Sequence, residues 1–307
     1  MLMTFDDARW RSNPEAVRDA LESNWIVHFP VCPLPLPDQA TLDFLRRELP
    51  SRLKLKNISY HPEAGKVSGI EADAATTSRV TDLLRSHLND VSSFLRRVTG
   101  DLTNDARIGT CSFRPIEEKG RGLKPHASNE LVHVDAGAYG ATNGDRILRF
   151  FVNVNAERDR VWATKGTFDE VLERCGRKSG LLDESGRLAV SITKGGADRA
   201  FSALVAGLAY LNPLATVLDS SPYDRAMRRL HNYMKDDEEF KRDLSGYREI
   251  RFPPGSAWTV FTDGVSHASL EGQFALVTTM IVRRARMRWP ERAPFGSLLG
   301  RSAAAAA

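Results

Sequence analysis

Two periodicities divide this chain, and they limit its architecture more than any other feature. Up to about residue 105, apolar residues recur at helical spacing in "DDARWRSNPEAVRDALES" (6–23), "DQATLDFLRREL" (38–49) and "SRVTDLLRSHLNDVSSFLRRVTG" (78–100), the last stopped by Gly100. One strand-like run, "WIVHFPVC" (25–32), interrupts them. From about 107 the pattern shortens to strand-sized runs: "RIGTCSFRPI", "ELVHVDAG", "RILRFFVNVN", "REIRF", "SAWTVFTD" and "QFALVTTMIVRR", separated by Gly, Pro, Asn and Asp. Helical spacing returns at about 167–176, 199–211 and 222–242. Helices packed around mostly antiparallel strands imply an α+β fold: a double-stranded β-helix (jelly-roll, cupin-like) core with supporting helices. No shift in composition marks a boundary, so residues 1–302 read as one domain with a helical N-terminal region over about 1–105. The closing "AAAAA" (303–307) reads as appended or placeholder sequence. The stretch "KNISYHPEAGKVSGIEADAATT" (56–77) reads as a polar loop, long enough to suggest a role beyond connection.

In 307 residues no run of about 18 apolar residues occurs, so no spanning helix is expected, and the first twenty residues lack the apolar core of a secretory signal. Cys32, Cys111 and Cys175 show no C-x-x-C spacing, which favours a reducing cytosol over a disulfide framework or a zinc knuckle. The formal net charge of +4 is mild, but "VRRARMRWPERAPFGSLLGR" (282–301) concentrates arginines among Trp289, Phe295, Leu298 and Leu299. It reads either as a solvated segment wrapping the domain or as a peripheral contact with an anionic membrane face. No nucleic-acid partner is expected, and the expected location is the cytoplasm, with the inner face of the cytoplasmic membrane as the peripheral alternative.

The chemistry begins at "ELVHVDAGAYG" (130–140). In a strand, His133 and Asp135 would point to the same side, presenting two legs of a metal site. The triplet alone is weak and needs a distant third ligand. His231 lies in "YDRAMRRLHNYMKDDEEF", a helical stretch better suited to packing or substrate contact; His267 follows "SAWTVFTDGVSH", a strand and then a turn. Two histidines and a carboxylate on one face of Fe(II) leave the opposite face for a bidentate co-substrate and O2. For 2-oxoglutarate as that co-substrate, the distal carboxylate needs an arginine. Val277 stands at the usual position after the distal histidine, leaving Arg149, Arg114 and Arg283 as candidates. Arg149 has the strongest claim, because it interrupts an apolar strand on the face opposite Leu148, Phe150, Val152 and Val154.

The strings "KNISYHPEAGKVSG", "SFRP", "LVHVDA", "RILRFFVNVN", "YDRAMRRLHNYMKDDEEF" and "FTDGVSHASLEGQFAL" resemble, in order and wording from about 24 to 300, the Kdo 3-hydroxylases. These are Fe(II)/2-oxoglutarate dioxygenases that hydroxylate 3-deoxy-D-manno-oct-2-ulosonic acid (Kdo) to Ko in the lipopolysaccharide inner core. The resemblance implies His133, Asp135 and His267 as iron ligands, with Arg114, Arg149 and Thr279 near the co-substrate. It implies a Kdo-bearing lipid A acceptor, which Lys124 and arginines at the barrel mouth would meet, and it adds weight to a membrane contact through 282–301. A carboxylate ligand at Asp135 favours hydroxylation over halogenation. "VTTM" (277–280), the loop "AGAYGATNGD" (136–145) and the segment 175–220 depart from the family's pattern, where substrate choice could lie. A relative hydroxylating another sugar acid or small metabolite is the alternative, and a non-catalytic glycan- or membrane-binding barrel a third reading.

Overall fold

A computed structural model describes residues 1–137, 139–211 and 219–302. Its strands are β1 (Leu2–Thr4), β2 (Ile26–Phe29), β3 (Ile58–His61), β4 (Lys66–Ser68), β5 (Arg107–Arg114), β6 (Arg146–Asn153), β7 (Arg160–Thr164), β8 (Arg248–Phe252), β9 (Ala257–Phe261), β10 (Ala268–Glu271) and β11 (Ala275–Val282). The larger sheet runs β1-β2-β9-β6-β11-β5-β3-β4 and the smaller β10-β7-β8. The β1–β2 pair is parallel; the other strand pairs are antiparallel. The chain is thus a mixed α/β protein built on a large antiparallel sheet.

Helices α1 (Asp7–Ser12) and α2 (Glu15–Glu22) replace the single helix expected over 6–23, because Pro14 supplies no N–H to continue the first. After α3 (Gln39–Asp43) comes the long helix α4 (Ala74–Thr99), which buries Val80, Leu84, Leu88, Val91, Leu95 and Val98 on one stripe. It ends at Gly100, whose φ of 61° a side chain would disfavour. That stripe lies on one face of the larger sheet. Phe94 meets Phe150 and Phe29 edge-on, at centroid distances of 5.8 and 5.4 Å. The opposite face meets the smaller sheet through a second aromatic cluster, where Trp258 stacks on Phe252 and Phe151 and Trp162 packs edge-on. A third cluster joins α5 (Phe168–Cys175), α7 (Pro222–Asp236) and α9 (Pro294–Gly300). Helices α6 (Gly196–Leu211) and α8 (Glu238–Arg242) complete the set among the described residues.

Three expectations change. The "loop" at 56–77 holds the β3–β4 hairpin, with Ile58 and Tyr60 turned into the core and β3 paired to β5. The local signal for the hairpin was the Pro62–Gly65 turn between two short runs, whereas the pairing of β3 to β5, some fifty residues later, leaves no local trace. Residues 130–137 are not a strand; they make one bridge, His133 to His267. Strands β1, β7 and β10 were not anticipated. Of the two readings of 282–301, the structure displays the wrapping one. Arg288 pairs with Glu15 (3.1 Å) and Asp19 (3.0 Å), Arg286 with Asp105, and Arg301 with Glu173, while Leu298 is fully buried. The buried carboxylate of Glu22 accepts the Arg288 and Trp289 backbone N–H groups at 2.7 and 3.1 Å. No helix of the described residues is long and apolar enough to cross a membrane.

His87, on the buried stripe of α4, has no hydrogen-bond partner for Nε2, and burial pulls its pKa down to about 4. Between about pH 6.5 and 4 the unfolded chain therefore binds a proton that the folded chain refuses, and stability falls as pH drops through that window. This residue's share is about 3 kcal/mol. Urea unfolding at pH 7 and pH 4.5 should show His87→Gln losing that part of the acid sensitivity; an unchanged difference would refute it.

Candidate metal centre

The alternation of β6, β11 and β5 gives the sheet two chemically different faces. Leu148, Phe150, Val152, Leu276, Met280, Cys111 and Phe113 fall on the face under α4. The other face carries three cross-strand rows: Arg149–Thr279–Thr110, Phe151–Val277–Ser112 and Asn153–Ala275–Arg114. Arg149 thus lies where the sequence pattern put it. From these rows Arg149, Thr279, Thr110, Phe151, Ser112 and Arg114 line a cavity of about 440 Å³.

His133, Asp135 and His267 meet in this cavity, with one donor atom from each within 4.8 Å of the others. Val134 between the first two is buried in the α5–α7–α9 cluster, so its neighbours face the other way, into the cavity. Backbone bonds lock the triplet to the turn after β9: His133 N to His267 O (3.0 Å), His267 N to His133 O (2.8 Å) and Asp135 N to Thr262 O (2.9 Å). The turn itself is held by Asp263, whose carboxylate takes the buried Arg146 guanidinium at 2.6 Å and the Ile147 N–H at 3.0 Å. A Cβ at Gly264 would sit 2.1 Å from Asn24 Oδ1 and 2.3 Å from Arg146 Nη2, so any other residue there would displace the Arg146–Asn24 contact.

Each imidazole is oriented by its own backbone. His133 Nδ1 donates to Leu131 O (2.8 Å) and His267 Nδ1 to Val265 O (3.0 Å). A carbonyl only accepts, so Nδ1 carries the proton and Nε2 keeps its lone pair. Both Nε2 atoms face Asp135 Oδ1, at 3.7 and 4.0 Å. The other carboxylate oxygen, Oδ2, lies 2.8 Å from Arg149 Nη2. Trp162 stacks on His267, with 5.2 Å between centroids.

The electrostatics suit a cation. Burial, reinforced by His267, holds His133 well below the ordinary histidine pKa, and burial lowers His267 too; both are neutral at pH 7. Burial alone would raise the Asp135 carboxyl, but the charge of Arg149, helped by a hydrogen bond from Thr262, outweighs it and holds Asp135 ionised. Two neutral imidazoles and one carboxylate, with unencumbered donor atoms on one side, are a fitting donor set for a divalent first-row metal such as Fe(II).

Around the triad the cavity is cationic: Lys56, Arg114, Arg149, Arg160 and Lys235 line it against the single carboxylate of Asp135. Arg160 is neutralised by Glu118 at 2.9 Å. Among the described residues Arg114 has no carboxylate within ion-pair distance, and its Nε has no partner. Burial, with Arg149 and Arg160 nearby, pulls its guanidinium down to about 10. A cation so placed favours an anionic ligand.

Several sequence-based expectations sort themselves here. Thr279 lines the cavity, as do Arg114 and Arg149; Arg283 lines a separate one with Asp105 and Asp145. Lys124 is exposed and does not reach the cavity wall; Lys56 and Lys235, which the sequence reading passed over, do. The signal for Lys235 was its place one helical turn after His231. His231 stands outside the triad: its Nδ1 donates to Val134 O at 2.7 Å, and its ring meets His133 edge-on at 4.9 Å. In the departing loop, Tyr139 lies over Gly109, where a Cβ would come within 2.3 Å of the ring, and its hydroxyl is 2.5 Å from Thr110 Oγ1. This loop closes one side of the cavity, although Ala138 lies outside the described residues. Residues 212–218 of the departing segment 175–220 also lie outside them.

The family described as 3-deoxy-D-manno-oct-2-ulosonic acid (Kdo) hydroxylase matches residues 5–303. Among solved structures, the Kdo hydroxylase KdoO, a non-heme Fe(II) alpha-ketoglutarate-dependent dioxygenase, is similar in three ligand states. With alpha-ketoglutarate and Fe(III) it is 29% identical, with 97% of this chain and 94% of that chain covered and a TM-score of 0.78. With cobalt(II), the figures are 29%, 97%, 94% and 0.79. With succinate and Fe(III), they are 28%, 97%, 94% and 0.78. No curated protein sequence matches the chain.

Proposed function

The chain belongs to the Kdo hydroxylase family, and on that premise we propose that it is an Fe(II)- and 2-oxoglutarate-dependent hydroxylase converting Kdo to Ko on a lipid A-linked acceptor. The reaction balances as R–H + 2-oxoglutarate + O2 → R–OH + succinate + CO2. The observation that carries the reading is the convergence of His133 Nε2, His267 Nε2 and Asp135 Oδ1 inside a cavity with five cationic side chains. The two facing sheets support a double-stranded β-helix core. The packing of α4 on the larger sheet supports residues 1–302 acting as one domain.

In this reading His133, Asp135 and His267 hold the iron. The metal, with its co-substrate and O2, supplies the oxidising power to hydroxylate an unactivated C–H. The protein supplies geometry. Each Nδ1 keeps its proton and donates it to the Leu131 or Val265 carbonyl, which fixes both rings. Arg149 forms an ion pair with Asp135 Oδ2, which leaves Oδ1 facing the two Nε2 atoms. This shifts the co-substrate's distal carboxylate to Arg114, the buried guanidinium without a carboxylate of its own, with Thr279, Thr110 and Ser112 as hydroxyl neighbours on the same sheet face. Phe151 and Trp162 form an apolar wall that limits water. Of the six arginines in 282–301, Arg286, Arg288 and Arg301 pair with the protein's own acids, so a membrane contact there would rest on Arg283, Arg284 and Arg292.

Mass spectrometry of the product from a Kdo-bearing lipid A precursor, with Fe(II), 2-oxoglutarate and O2, should find one added oxygen atom. Succinate release with no oxygen gained would redirect the reading to another sugar acid. Failure to bind Fe(II) would overturn the enzymatic reading altogether.

A further inference from the structure

After pairing, the cavity keeps a surplus of positive charge at its mouth. Arg149 is matched by Asp135 and Arg160 by Glu118, while Arg114 lies among the strand residues facing the triad. Lys56 and Lys235 remain. Lys56 directly precedes the β3–β4 hairpin on the sheet side; it is exposed and has no carboxylate within ion-pair distance among the described residues. Lys235 projects from α7 on the facing side. It is 2% exposed, and its ammonium donates only to carbonyls, Ser128 O at 2.9 Å and His126 O at 3.4 Å. The nearest acid on its own helix, Asp236, is taken by His126 at 2.8 Å. Burial, and the charge of Lys56 after the opposing pull of Asp135, bring Lys235 down to about 8. Burial and the charges of Arg114 and Arg121 lower Lys56 as well. A buried ammonium such as Lys235, hydrogen-bonded only to carbonyls, is costly unless a ligand supplies an anion, and Lys56 lines the same cavity from a different element.

We propose that Lys56 and Lys235 form an anion clamp for the acceptor, gripping the carboxylate of the sugar acid at the cavity mouth while Arg114 holds the co-substrate. The inference rests on the hydroxylase reading and adds to it the residues that select an acidic sugar. Around the clamp, His61, Ser68 and Asn57 from the hairpin side offer donors and acceptors suited to sugar hydroxyls.

The test uses Lys56→Met and Lys235→Met in the iron-loaded enzyme, with KM measured separately for acceptor and for 2-oxoglutarate. A lost charge-assisted contact should raise the acceptor KM about tenfold per lysine, with a much smaller change in the KM for 2-oxoglutarate. Calorimetric titration of a free Kdo-type sugar acid into metal-free protein should show the same weakening without any turnover. Lys56 is exposed, so its variant keeps the test valid even where Lys235→Met fails to fold. A methyl-esterified acceptor should erase the difference between wild type and Lys56→Met. If removing the acceptor's phosphates erases it instead, the clamp reads phosphate and the proposal falls. It falls equally if the variants raise the KM for 2-oxoglutarate in parallel, or leave the acceptor KM unchanged. Wild-type oxygen transfer to the acceptor judges the hydroxylase reading separately.

Discussion

Asp135→Ala should lower 2-oxoglutarate-dependent succinate release by more than about 100-fold and abolish stoichiometric Fe(II) binding. Two effects combine. The substitution removes the anionic donor that faces both Nε2 atoms, and it leaves Arg149, 21% exposed at its side chain, without its carboxylate partner. Losing one partner of a largely buried pair costs about 3–5 kcal/mol, so thermal unfolding should also shift downward. Asp135→Asn separates the contributions. It keeps the volume and removes the charge, so a folded protein with the same loss of iron would place the defect in the donor rather than in the fold. Titration with Fe(II) beside a succinate assay makes the measurement; retained turnover in both variants would remove Asp135 from the site.

Arg114→Met and Arg149→Met should give opposite signatures, and that contrast is the second large effect. Arg114 contributes a cavity-facing guanidinium with no carboxylate of its own, so its loss should raise the KM for 2-oxoglutarate by about 100-fold while Fe(II) affinity holds. Arg149 is bound to Asp135 Oδ2, so its loss should weaken iron binding first. Steady-state kinetics with varied 2-oxoglutarate and an iron titration read the two effects. An Arg149 variant that changes only the co-substrate KM would restore the assignment favoured by sequence pattern.

The proposed division of roles between Arg149 and Arg114 marks where sequence reasoning runs out. Alternation along "RILRFFVNVN" correctly set Arg149 against Leu148, Phe150 and Val152, because side-chain direction in a strand is a local property. Which anion Arg149 would meet depended on where residues 130–137 pass over the sheet, and that is fixed by backbone bonds to His267 and Thr262, more than a hundred residues away. His133 and Asp135 share one side without a strand, because Val134 is buried in a helical cluster. Lys235 escaped notice for a related reason. A lysine on an amphipathic helix normally marks the solvated side, and only the packing of α7 over the cavity makes it 2% exposed.

The sequence by itself determined the helical N-terminal third and most of the long strands. It also carried the wording that marks the family and, through it, the three residues that converge. Those features depend on periodicity, turn chemistry and motif order along the chain. Only the tertiary structure decided the pairing of β3 with β5, the pairing of 282–301 with the N-terminal acids and the division of the cavity's cations into matched and unmatched. Each of these is a question of which charge or strand edge meets which partner. Such meetings are set by long-range packing, where desolvation makes an unpaired charge costly and neighbouring residues in the sequence carry no record of it.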